Sequence, residues 1–156
     1  MRSFGYIWIT AILTMDKKDL VNIFDNILKP NGFKRKGNYW RLDGDELIKI
    51  VNLQKSQWGN QYYINYGFDF KDLQYNKVAM HIYRRIISTD INESNVLDFG
   101  KNFLGDRIKV IEGLLKNILE IFNNNDSIAD LLKNIKQRSH LNDVPLKVKE
   151  FLGIKT

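Results

Sequence analysis

Carboxamide, imidazole and guanidinium groups occupy alternating positions in three apolar and aromatic stretches of this 156-residue chain. Asn52 and Gln54 lie in the first stretch, Asn65 and Asp69 in the second, and His81 and Arg85 in the third. If each stretch is a β-strand beside the last, period-two alternation turns all six toward one face of a sheet. Ser56 shares that face, Arg41 joins it from the preceding hairpin arm, and Trp58 and Tyr63 sit at its edge. Such a surface suits recognition, because arginine and large aromatic side chains dominate binding hot spots. The residues expected to carry binding are Arg41, Gln54, Ser56, Trp58, Asn65, His81 and Arg85. The plainer alternative is the wet face of an antiparallel sheet, where Asp–Arg and Asn–Gln contacts are ordinary.

Catalysis has little support. Asp69 and His81 could pair across strands as acid and base, but a lone strand histidine more often serves as a hydrogen-bonded structural residue. His140 falls in a polar stretch and reads as solvated. The sequence has no Gly-x-Ser-x-Gly elbow, phosphate-cradling P-loop or dinucleotide fingerprint. With two histidines and no cysteine, disulfides are excluded and neither a structural metal nor a cofactor is expected. Lys34, Arg35 and Lys36, with Arg84, are the candidates for phosphate contact in a nucleic-acid reading. Three cations on a strand edge more often deter edge-to-edge pairing. Arg84 must face away from Arg85, since strand neighbours point to opposite sides. Asp43, Asp45 and Glu46 read as a charged hairpin tip.

The elements that would position these residues follow from periodicity. Asp16 or Asp19 can cap a helix whose apolar face is Leu20, Ile23, Phe24, Ile27 and Leu28, ended by Pro30 and Gly32. Residues 33–36 and 38–42 read as short strands, with hairpin chemistry at Asp43-Gly44-Asp45. Longer strands are expected over 46–55, 62–70 and 78–87, the first two joined by a turn at Trp58-Gly59-Asn60. Residues 90–105 read as loop, with a short strand or turn near Val96–Phe99. A helix from Asp106 to Phe122 should bury Ile108, Ile111, Leu115, Ile118, Leu119 and Phe122. Asp126 is expected to cap a further helix through Ile135, and Asp143 with Pro145 opens a last one before Gly153. Strands grouped ahead of helices imply an α+β fold: an N-terminal helix, an antiparallel sheet of four to five strands, and C-terminal helices packed on one face.

Bulk properties fit a single domain over residues 15–156. The net charge is +6, with 24 basic and 18 acidic residues interspersed, which describes a mildly basic solvated surface more than a nucleic-acid stripe. Residues 1–14 form an apolar extension, too short to span a bilayer. It reads as a mis-assigned start ahead of Met15, with an export signal or membrane tether as the alternative. No stable membrane insertion is expected, and the lack of cysteine fits a cytoplasmic location.

Several segments carry a family resemblance. ILKPNGFKRKGNYWR, IVNLQKSQWGNQYYINYGF, MHIYRRI and the terminal KEFLGI together resemble the bacterial domain of unknown function 4304. Lys29-Pro30 with Gly32-Phe33, and Gln54-Lys55-Ser56 ahead of the aromatic strand ending in Gly67, are its most specific pieces. The resemblance implies a small α+β domain and no established activity. By analogy with small single-domain immunity proteins, it suggests a non-catalytic protein binding a toxin-like partner. A nucleic-acid-associated domain and a small enzyme are the alternatives.

Overall fold

Asp16 and Asp19, the two candidates for the first cap, act together. The Asp19 backbone N–H donates to Asp16 Oδ1 at 2.9 Å, and the Asp16 N–H donates back to Asp19 Oδ2 at 3.0 Å. This reciprocal box satisfies two of the free donors at a helix start. In the computed structural model, which describes residues 15–88 and 90–155, the helix is α1 (Lys17–Leu28), and a 3-10 turn (Lys29–Asn31) finishes it at Gly32. The Gly32 φ of 91° lies in the left-handed region that favours glycine.

The strands follow as β1 (Lys34–Lys36), β2 (Tyr39–Asp43), β3 (Leu47–Lys55), β4 (Tyr62–Phe70) and β5 (Ile82–Arg85). They form one five-stranded sheet in chain order, antiparallel throughout. Four helices come after it: α2 (Ile91–Ser94), α3 (Arg107–Asn123), α4 (Ile128–Ile135) and α5 (Leu146–Leu152). The α+β architecture with helices on one face is as the alternation implied.

Register fixes the two faces. Trp40 opposes Val51, Leu53 opposes Ile64, and Phe68 opposes both Lys49 and Ile82, so these side chains share the helix-covered face. Leu20, Phe24 and Leu28 of α1 and Ile111, Leu115, Ile118 and Phe122 of α3 complete the buried core with them. The Phe122 ring lies within 6.2 Å of Phe33, Tyr66 and Phe68, joining α3 to the sheet. Lys49 also points into this face. Its ammonium pairs with Asp126, which keeps a buried charge compensated.

Four expectations need correction. The strand expected over 78–87 is only Ile82–Arg85, because residues before it cross the other face. A Cβ on Gly67 would lie 1.8 Å from the Ile82 carbonyl oxygen and 3.0 Å from Met80 Sδ. Met80 and Ile50 are both buried there, outside the main core. Second, Ile108 is exposed and Leu114 takes its place in the α3 interface, a shift in helical phase. Third, Ser127 caps α4 by accepting from the Asp130 N–H, since the Asp126 side chain is engaged with Lys49. Fourth, the stretch read as loop after Asp90 begins with α2, capped by the Asp90 side chain; near it, Asp98 forms an isolated bridge with Gln61. The apolar extension expected over 1–14 lies outside the described residues. Among the described residues, no helix is long and apolar enough to cross a membrane.

Candidate functional site

The sheet face opposite the helices carries Asn52 and Gln54 on β3, Tyr63 and Asn65 on β4, and Tyr83 and Arg85 on β5. Pairing sets Asn52 against Asn65, Gln54 against Tyr63, and Arg85 against Asn65, so the six side chains are nearest neighbours. Asn65 is at the centre and only 1% exposed. Its Nδ2 donates to Asn52 Oδ1 and to Gln54 Oε1, both at 2.9 Å. Its Oδ1 accepts from the Tyr83 hydroxyl at 2.7 Å and from Arg85 Nε at 2.9 Å. An amide has two donors and two acceptor sites, so Asn65 is saturated.

Arg85 orients the whole cluster. A guanidinium only donates, which forces the Asn65 and Gln54 oxygens toward it and removes the usual amide ambiguity. Arg85 Nη2 reaches Gln54 Oε1 at 2.7 Å and the Tyr83 hydroxyl at 3.2 Å. The guanidinium carbon lies 4.2 Å from the Tyr63 ring centroid, a cation–π contact. Among the described residues Arg85 forms no ion pair, and its Nη1 donors are uncommitted. The result is a positive charge held rigidly by neutral groups on an open surface.

Beside Arg85 lies a cleft of about 330 Å³ walled by Tyr63, Ile86, Ser88, Glu93, Val96 and Lys101. The far wall is built by a residue that sequence reasoning missed. Arg107, buried at the start of α3, donates to the carbonyls of Val96, Asp98 and Lys101 at 3.0–3.2 Å. Burial lowers its pKa below the ordinary arginine value, with the nearby Asp98 opposing that shift. Phe99 and Phe103 sit at 5.1 and 5.5 Å from its guanidinium carbon. The only sequence signal was an arginine directly after the helix-capping Asp106, with Phe103 and Phe99 four and eight residues before it.

The seven expected residues separate into four groups. Gln54, Asn65 and Arg85 come together as described. Ser56 and Trp58 lie in the turn between β3 and β4, where Ser56 Oγ accepts the Trp58 N–H and the indole is 88% exposed. Arg41 pairs with Ile50 on β3 and lines a separate cleft with Lys36, Tyr39 and Asp69, on the same face but outside the amide cluster.

His81 stands apart and is 4% exposed. Its Nδ1 accepts the Phe70 N–H at 2.9 Å, and its Nε2 is 2.8 Å from the Tyr75 carbonyl oxygen. A backbone N–H can only donate and a carbonyl only accept, so the ring is the neutral tautomer with its proton on Nε2. Asp69 is 3.8 Å from Nδ1 and instead takes the His81 backbone N–H at 2.9 Å. In place of the side-chain pair with Asp69 that an acid–base role would need there is a backbone clamp, with both ring nitrogens committed to main chain.

The cations set aside for phosphate are divided. Lys34, Arg35 and Lys36 form β1 at one sheet edge, Arg35 lying 3.4 Å from Asp25, while Arg84 is on β5 at the opposite edge. Among the described residues, no three histidine or acidic side chains come together as metal donors. A family model described as a domain of unknown function (DUF4304) matches residues 24–140. No curated protein and no solved structure matches the chain.

Proposed function

Because the chain belongs to the DUF4304 family, whose description assigns no activity, we propose its function from the geometry alone: a non-catalytic binding domain. Its open sheet face receives a protein partner, and an acidic group of that partner seats on Arg85. The observation that carries this reading is the immobilised, unneutralised guanidinium. Holding an arginine in one rotamer costs up to about 2 kcal/mol of side-chain entropy, and here that cost falls before any partner arrives. A pre-ordered arginine binds a carboxylate through parallel charge-assisted hydrogen bonds with less further loss. Tyr63 and Tyr83 flank it, and the exposed Trp58 in the β3–β4 turn offers a second anchor of the kind common at hot spots. In the bacterial cytoplasm such a module is suited to neutralising an acidic-surfaced toxin, as immunity proteins do.

Tagged protein, its Arg85→Lys variant and its Trp58→Ala variant should be used for affinity capture from the native lysate, with nuclease added. A stoichiometric protein that survives nuclease and is lost from the folded Arg85→Lys sample supports the proposal. Capture that disappears with nuclease would favour the nucleic-acid alternative.

A further inference from the structure

Arg84 points to the helix side of the sheet, away from Arg85, and meets a second arginine there. A cavity of about 190 Å³ opens between β5 and the end of α4, lined by Arg84, Arg138, Tyr66 and Asn134 above a floor of Phe68 and Ile82. Since a single water needs roughly 10–15 Å³ on this measure, the cavity has room for a small polyatomic ion. Among the described residues Arg84 makes no hydrogen bond or ion pair. Arg138 Nη1 is fully buried without a hydrogen bond, and its nearest acid, Asp143, is 3.6 Å away. Only Arg138 has a carboxylate beside it, and the cavity lining holds two guanidinium groups and no acidic side chain, which leaves it a net cation.

We propose that this cavity is a binding site for a small oxyanion of the phosphate class, held between the Arg84 and Arg138 guanidinium groups. Their fork geometry matches the oxygen spacing of a phosphate better than a point charge would. Tyr66 and the amide of Asn134, which keeps one hydrogen after its bond to Asn125 Oδ1, supply further donors. The electrostatics agree in sign. Burial is the main cause lowering the Arg138 pKa and Arg84 adds to it, a repulsion that a bound anion would relieve. This site stands independently of the Arg85 reading, because it lies on the other side of the sheet.

The test is a titration of the 15N-labelled protein with inorganic phosphate at constant ionic strength, followed by amide resonances, with adenosine monophosphate in a parallel arm. Saturable shifts at Tyr66, Arg84, Asn134 and Arg138 are expected, weakened at least about tenfold in Arg84→Gln. Arg84 is exposed and without an intramolecular bond, so that variant keeps the fold. Arg138→Lys, which retains charge and loses the fork, should also bind more weakly. Tighter binding of the nucleotide would identify a phosphoryl ester as the source, and equal or weaker binding would identify free phosphate. No saturable shift at these residues up to about 20 mM, well above a millimolar Kd, or unchanged binding by Arg84→Gln, would overturn the proposal.

Discussion

Arg85 Nε donates to Asn65 Oδ1 at 2.9 Å, and that bond turns a polar sheet face into a fixed arrangement. Asn65 is buried and saturated, so its oxygen cannot rotate away without breaking four contacts. From the Asn38 carbonyl, which accepts from Asn52 Nδ2 at 3.2 Å, a directed chain runs through Asn52 and Asn65 to Arg85. Buried networks of this kind are rigid when complete and costly when one member is removed.

Asn65→Ala should accordingly destabilise the fold by roughly 1–3 kcal/mol, because it strands Asn52, Gln54, Tyr83 and Arg85 groups that now face one another. Urea unfolding checks this through a lower midpoint at unchanged slope. A midpoint equal to wild type would mean that water replaces the amide freely and that the cluster is not ordered.

Gly67→Ala should cost more than the roughly 1–3 kcal/mol usual for overpacking. The added methyl would occupy the position of the Ile82 carbonyl oxygen, so β5 must detach from β4. Hydrogen exchange at residues 82–85 is the sensitive measurement, with protection lost there before the rest of the sheet.

His81→Ala should behave as a structural lesion. It leaves the buried Phe70 N–H and the Tyr75 carbonyl without their partner, at roughly 1–3 kcal/mol by thermal or chemical unfolding. At a temperature where the variant is folded, partner capture should match wild type. Capture lost from a stable His81→Ala protein would return this residue to the binding surface.

Arg107→Lys should loosen the segment that walls the cleft. Lysine keeps the charge but cannot serve three carbonyls in a fork. Faster amide exchange over residues 96–101 is expected, with the α1 and β3 amides unaffected.

Most of the fold was legible because its signals are local and redundant. The alternation in 62–70 gave β4 in full, and the pairing of Gln54, Asn65 and Arg85 on one face followed from period two. What the alternation of 78–87 concealed was a crossing. Met80 and His81 keep strand-like spacing, yet Met80 packs over Gly67 and His81 is committed to Phe70 and Tyr75. The missing side chain at Gly67 was the signal, readable only once β5 was known to approach it. Asp126 misled for a similar reason. Its position suited a helix cap, but a long-range partner, the otherwise uncompensated Lys49, took its carboxylate. Arg107 was hidden because its three partners are backbone carbonyls, to which no residue-type pattern points.

Trp58→Ala should leave stability within about 0.5 kcal/mol of wild type, as surface substitutions without local partners do. Any loss of capture in this variant then reports on contact with the partner rather than on folding.

Whether Arg85 anchors the partner is tested by the partner's affinity for wild type and for Arg85→Lys, each verified as folded by circular dichroism. A loss of about 2 kcal/mol or more, roughly thirtyfold in Kd, is expected, because lysine keeps the charge while forfeiting the fork and the Tyr63 stack. Equal affinity of the two proteins would contradict that anchoring and reduce the ordered arginine to an ornament of the sheet.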